Sequence, residues 1–284
     1  MDSYCVGCDS EDDVYTTVVD KVLVGQGWSK EKFRGSTASF FSRSFLDVGF
    51  LMKLFDLDFS RASTGEGKFT RERRALEVCT KNDLSGFPRL YSSGEIEDQY
   101  YLTMNDFKGK NVYRLVYCDN FDLDKFIPYL PQLADDLGSL HDVGFLHRDV
   151  KPGNLLFLPE GFRIVDLGMA FLFRYNEGNN VVAGTPSYMS PENIKKEKLI
   201  PASDVYSLGM SLYEILAGGH PFKGKFTNNK ELMTLQINKK PLSLVKVTDV
   251  SQGLSDVVMK ALAKDPAERF RNGKEMADAL VRVC

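Results

Sequence analysis

Residues 145–157 read FLHRDVKPGNLLF, Phe145 to Phe157. The stretch is apolar at both ends and charged in the middle. Sinking His147, Arg148, Asp149 and Lys151 between apolar flanks is costly unless each meets a partner. A surface turn with solvated charges is the plain explanation. A site that uses the charges is the sharper one.

The bulk numbers narrow the choice. The chain has 284 residues, 43% hydrophobic and 26% charged, so it can bury a large core without staples. A net charge of −3 argues against a protein that coats nucleic acid, so no nucleic-acid partner is expected. No apolar run approaches the ~20 residues of a membrane helix. The opening MDSYCVGCDSEDD is acidic, unlike a signal peptide. No membrane attachment and a cytoplasmic location are therefore expected. The five cysteines are odd in number, and reduced thiols are the default. Cys5-x-x-Cys8 is either half of a zinc site or part of a mobile tail, and no second half is visible. Oligomeric state is not legible.

Along the chain, residues 1–13 have the composition of a disordered acidic tail. Val14 to about Phe59 reads as strands, with Gly25 and Gly27 breaking one run and Phe50–Phe55 forming another. Phe69 to Cys79 has helical spacing; Pro88–Gly94 and Gln99–Met104 read as further strands. Beyond Gly109 the texture turns helical: Ile127–Val143, Ser203–Leu216 stopped by Gly218 and Gly219, Leu254–Leu262 and Gly273–Val283. The fold class is α+β, a strand-rich part at 14–106 preceding a helix-rich part at 107–284.

His147-Arg148-Asp149-Val150-Lys151-Pro152-Gly153-Asn154 resembles the catalytic loop of protein kinases, H-R-D-x-x-x-x-N. Asp166-Leu167-Gly168 resembles the kinase D-F-G, and Gly184 to Glu192 resembles the end of a kinase activation segment. Each triplet alone is weak; three in this order are specific. The resemblance covers roughly residues 14–283 and implies a bilobal serine/threonine protein kinase using ATP and Mg²⁺ on protein substrates. Its chemistry is mostly positioning and electrostatic stabilisation of a transferring phosphoryl group. Asp149 suits the base that orients the acceptor hydroxyl, and Lys151 reaches the γ-phosphate. Asn154 and Asp166 offer hard oxygen ligands for Mg²⁺. Lys53 matches the phosphate-binding strand lysine, with Glu72 as its helix partner and Glu77 as the alternative.

The resemblance also implies a nucleotide pocket. Val24-Gly25-Gln26-Gly27 stands for the glycine turn, although the third glycine is replaced by Lys30. Phe33, rather than Lys32, and Leu51 would roof adenine. Met104 would be the gatekeeper, Asn105 and Phe107 the hinge residues, Leu156 the floor and Val165 the back. The long spacing from Gly25 to Lys53 implies an insertion near Ser36–Asp47. Glu192 would pair with Arg269, and Asp204 would brace the catalytic loop.

Between Asp166 and Thr185 there is no serine or threonine, and Tyr175 is the only hydroxyl. Glu177 is then a fixed anion for Arg148, which implies activity without phosphorylation of this segment. Two other readings stay open: a pseudokinase acting as a nucleotide-binding or scaffold module, and a small-molecule kinase of related fold.

Overall fold

A computed structural model describes residues 26–31, 38–45, 48–55, 67–96, 99–118, 122–173, 182–222 and 224–284. The first part is an antiparallel sheet of β1 (Ser29–Glu31), β2 (Ala38–Phe45), β3 (Val48–Phe55), β4 (Leu90–Ile96) and β5 (Gln99–Asn105), ordered β1-β2-β3-β5-β4. Between β3 and β4 runs helix α1 (Lys68–Lys81). Period-two alternation assigns the faces of β3. Met52 and Leu54 pack with Phe41 under Trp28, Ile96 and Tyr101 on one face. Lys53 and Phe55 face the other way, toward α1 and the rest of the chain.

After β5 come β6 (Lys110–Asn111), α2 (Val112–Cys118), α3 (Leu130–Asp142), β7 (Phe145–Leu146), β8 (Leu155–Leu158), β9 (Gly161–Ile164) and β10 (Phe171–Leu172). Helices α4 (Pro191–Ile194), α5 (Pro201–Ala217), α6 (Asn229–Asn238), α7 (Gln252–Ala261) and α8 (Gly273–Leu280) follow. Asn228, Ser251 and Asn272 cap α6, α7 and α8 by accepting a backbone N–H three residues on. Helix α5 is apolar nearly all round, and every residue from Ala202 to Leu216 is buried. It is the axis of the helical part. None of the described helices is long and apolar enough to cross a membrane.

Two sequence expectations change here. Ser36–Asp47 is not an insertion: most of it is β2, whose Phe41 is fully buried. The alternation in ASFFSRSF is what makes it a strand. Gln26 and Gly27 form an exposed turn ahead of β1, so they cannot be the connection from β1 to β2. That connection is residues 32–37, which contain Gly35. Val24, Gly25, Phe33, Tyr175, Glu177, Cys5 and Cys8 lie outside the described residues. Among the described residues no group of His, Cys, Asp and Glu could hold a metal by itself.

The join between the two parts gives one test of stability. Asp136 of α3 accepts a hydrogen bond from Gln132 Nε2 at 2.8 Å, and Gly86 presses against it. Burial pushes its carboxyl up to about 6, against the pull of Arg163. A raised carboxyl takes up a proton on folding, so stability rises as pH falls from 7 toward its unfolded value near 4. Asp136→Asn keeps an acceptor for Gln132 and removes the buried charge. It is expected to raise Tm at pH 7.5 and to give little gain at pH 4, measured by thermal unfolding. Equal effects at both pH values would refute this.

Candidate active site

The charged loop of the opening stretch begins at the end of β7. Arg148 sits at φ +67°, in the left-handed region, a strained position for a long side chain. Asp204 on α5 holds that turn. Its Oδ2 accepts from the His147 N–H at 2.7 Å and its Oδ1 from the Arg148 N–H at 2.9 Å. His141 Nε2 lies 3.2 Å from Oδ2. Burial pushes the Asp204 carboxyl up, but these donors override it and hold the group below its ordinary value. Ser211, two turns along α5, donates to the Val150 carbonyl.

Asp149 is buried, and its two oxygens are divided between partners. Oδ1 accepts from the Thr185 N–H at 2.8 Å and the Thr185 hydroxyl at 2.7 Å. Oδ2 meets Lys151 Nζ at 2.8 Å and Asn154 Nδ2 at 3.1 Å. Lys151 also donates to Thr185 Oγ1 at 2.7 Å, closing the ring. Thr185 reaches this place because Gly184, at φ +114°, lies against the Arg148 carbonyl. A Cβ there would come within 2.5 Å of that oxygen. The Asn154 amide nitrogen is shared between the Asp149 carbonyl and carboxylate. Asn154 therefore offers Oδ1 to anything bound beside it.

A second cluster faces the first. Lys53 Nζ is 2.8 Å from both carboxylate oxygens of Glu72 and 3.0 Å from Asp166 Oδ1. Glu77 instead lies half-exposed near Arg73. The helix phase puts Glu72, Ala75, Leu76 and Cys79 on the buried face of α1, and Glu77 off it. Burial alone would push the Lys53 ammonium down; Asp166 and Glu72 together hold it up. Burial pushes the Asp166 carboxyl up, and Lys53 and Lys68 hold it well below the carboxylate range. Asp166 itself adopts φ +64°, a second strained position. Lys68 Nζ stands 4.0 Å from it. The Val165 N–H donates to the Asn154 carbonyl at 2.9 Å, which ties the two clusters together.

A base-like carboxylate beside a lysine, a buried lysine–glutamate pair and two hard oxygen donors thus meet between a sheet and a helical part. A family model described as protein kinase domain matches residues 50–280, the greater part of the chain. The chain belongs to the protein kinase domain family. Among its relatives, serine/threonine-protein kinase pkn2 of Myxococcus xanthus is 32% identical over 75% of this chain and 26% of that protein. Serine/threonine-protein kinase PknB of Mycolicibacterium smegmatis is 32% identical over 76% of this chain and 36% of that protein. Serine/threonine-protein kinases drp72 of Corynebacterium efficiens is 38% identical over 54% of this chain and 29% of that protein. The chain spans roughly a quarter to a third of the length of the curated relatives it matches.

Other residues that the kinase resemblance singles out lie on or beside β3, β5, β8 and β9. Leu51 pairs in register with Met104, two position pairs along from Lys53 and Leu102. Leu156 lies opposite Asn111 on β8, and Val165 directly precedes Asp166. Asn105 and Phe107 line a cavity of about 230 Å³, shared with Cys79, Pro88 and Arg163. Phe40 was not legible as a cleft residue. It pairs with Lys53, and its ring centroid is 5.7 Å from Nζ. Lys68 was missed too; its only signal is its place one helical turn before Glu72. Away from the cleft, Arg269 grips Glu192 through two bonds of 2.8 and 2.9 Å.

Proposed function

We propose that the chain is a serine/threonine protein kinase that moves the γ-phosphate of ATP onto serine or threonine hydroxyls of protein substrates, using Mg²⁺. The observation that carries this is the ring of Asp149, Lys151 and Thr185, in which a buried carboxylate is held at fixed hydrogen-bond distances. Such a carboxylate can orient an acceptor hydroxyl and take its proton. Lys151 stands beside the place where charge develops on the phosphoryl group. Lys53, steadied by Glu72, serves the α- and β-phosphates. The names of the relatives agree with this activity.

The donor set fits Mg²⁺: the Asn154 amide nitrogen is committed to Asp149, leaving its oxygen, and Asp166 remains ionised in the field of two lysines. When bound there, the ion would neutralise phosphate charge. Leu51, Met104, Leu156 and Val165 line the adenine space in this reading, with the lobes joined at Asp106–Lys110. The backbone of Asn105 and Phe107 recognises the base. We also infer activity without activation-segment phosphorylation. The Lys53–Glu72 pair is closed in the unmodified chain, and the segment holds no serine or threonine before Thr185.

The test is transfer of labelled γ-phosphate to a generic protein acceptor by wild type, Asp149→Ala and Asp166→Ala. Transfer by wild type and loss in both variants is the expected result. Nucleotide binding without transfer in any sample would favour a binding module. Enzyme stripped of phosphate that stays inert until Tyr175 is phosphorylated would overturn the second inference.

A further inference from the structure

The segment from Gly184 to Glu192 is the surface on which an acceptor protein docks if the kinase reading holds, and side chains from two later elements hold it. The Ser187 carbonyl receives two side-chain donors. His220 Nε2 lies 3.0 Å from it and Gln236 Nε2 lies 2.7 Å from it. Gln236 is fully buried on α6, and His220 follows the glycines that end α5. The other ring nitrogen, Nδ1 of His220, accepts the Phe222 N–H at 3.2 Å. One nitrogen must carry a proton and the other must not. The two bonds therefore require the neutral Nε2–H tautomer.

Aromatic rings fix the imidazole in place. Tyr188, Phe222 and Phe226 lie with centroids 6.3, 5.9 and 6.2 Å from it. The next residue is held as firmly: the Tyr188 hydroxyl donates to Glu214 Oε2 at 2.6 Å, and its carbonyl accepts from Ser207 at 2.8 Å. Two residues before Ser187 stands Thr185, bonded to Asp149. The clamp is thus joined through a short turn to the reacting carboxylate.

We propose that His220, with Gln236, positions the acceptor protein by clamping the Ser187 carbonyl in the docking segment. This rests on the kinase reading above and adds a residue of its own. A proton on Nδ1 would expel the Phe222 N–H and unseat that side of the ring, while the Nε2–H bond to the Ser187 carbonyl would remain. Burial lowers the pKa of His220, while the Ser187 carbonyl and the Glu214 carboxylate pull the other way. Other polar groups around it are the hydroxyls of Tyr188 and Tyr117, both turned to Glu214, and Lys264 over the Phe222 ring.

The experiment uses the full chain with dephosphorylated casein as acceptor, varying casein and ATP separately. His220→Phe keeps a ring and loses both bonds; His220→Gln restores a donor toward Ser187. In His220→Phe the KM for casein is expected to rise about tenfold, with the KM for ATP and kcat within about threefold. His220→Gln should recover most of that loss. An unchanged casein KM, or a loss confined to kcat, overturns the proposal. Amide hydrogen exchange of residues 184–192 supplies a readout independent of turnover. It should quicken in His220→Phe, and unchanged exchange would also overturn the clamp. A wild type that transfers no phosphate refutes the kinase reading, and the exchange result then still decides the clamp.

Discussion

Asparagine in place of Asp149 is expected to lower kcat by about 10²- to 10⁴-fold, the range for loss of a positioned proton acceptor. The substitution is nearly isosteric. Its oxygen can still accept from the Thr185 N–H, so the turn that places Thr185 should persist. What disappears is the negative charge between Lys151 and the incoming hydroxyl. The KM for ATP should change little, because Lys53, Glu72 and Asp166 form a separate cluster. Steady-state kinetics beside thermal unfolding checks both halves. A kcat within tenfold of wild type at unchanged Tm would remove Asp149 from the chemistry.

The second large effect concerns stability. Arg269 uses its whole guanidinium: Nε donates to the Ala263 carbonyl, and the two terminal nitrogens bond Glu192, Ala202 and Lys264. The plane also stacks over Tyr206, 4.9 Å from the ring centroid. Burial pushes the Glu192 carboxyl up, but Arg269 overrides this and holds it below its ordinary value. Arg269→Met strands a buried carboxylate and three carbonyls, an arrangement that typically costs ~3–5 kcal/mol. At roughly 2–4 °C per kcal/mol for a chain of this size, Tm should fall by about 6–20 °C. Adding Glu192→Gln should return part of the loss, since the stranded charge is then gone. A Tm within 2 °C of wild type in the single variant would show that the pair contributes nothing net.

The pH dependence of that pair has a definite sign. A carboxyl held low on folding contributes stability above its unfolded pKa and loses it as pH falls through the folded value. The deficit of Arg269→Met should therefore shrink in acid. This is opposite to Asp136→Asn, whose benefit appears at neutral pH. The two variants measured side by side separate a carboxylate that is satisfied from one that is merely buried.

The helical part and its site were largely written in local sequence. His147 to Asn154, Asp166 to Gly168 and Gly184 to Glu192 are short runs whose residue types are dictated by charge and backbone demands, so they announce themselves. Glu72 could be preferred over Glu77 because helical phase is a local property, and Glu192 and Arg269 lie in equally local signatures. The sheet was less legible. Which residue of β2 faces Lys53 depends on the register between two strands, and register is fixed by pairing and by the buried Phe41 rather than by any one segment. For the same reason nothing local told that Gln26 and Gly27 precede β1, and a strand of serines and phenylalanines passed for an insertion. Lys68 beside Asp166 and the two donors on Ser187 likewise arise from parts of the chain far apart in sequence. The sequence determined the chemistry this chain can hold; the tertiary structure decided which side chains share a face, because contact across the fold is not a local quantity.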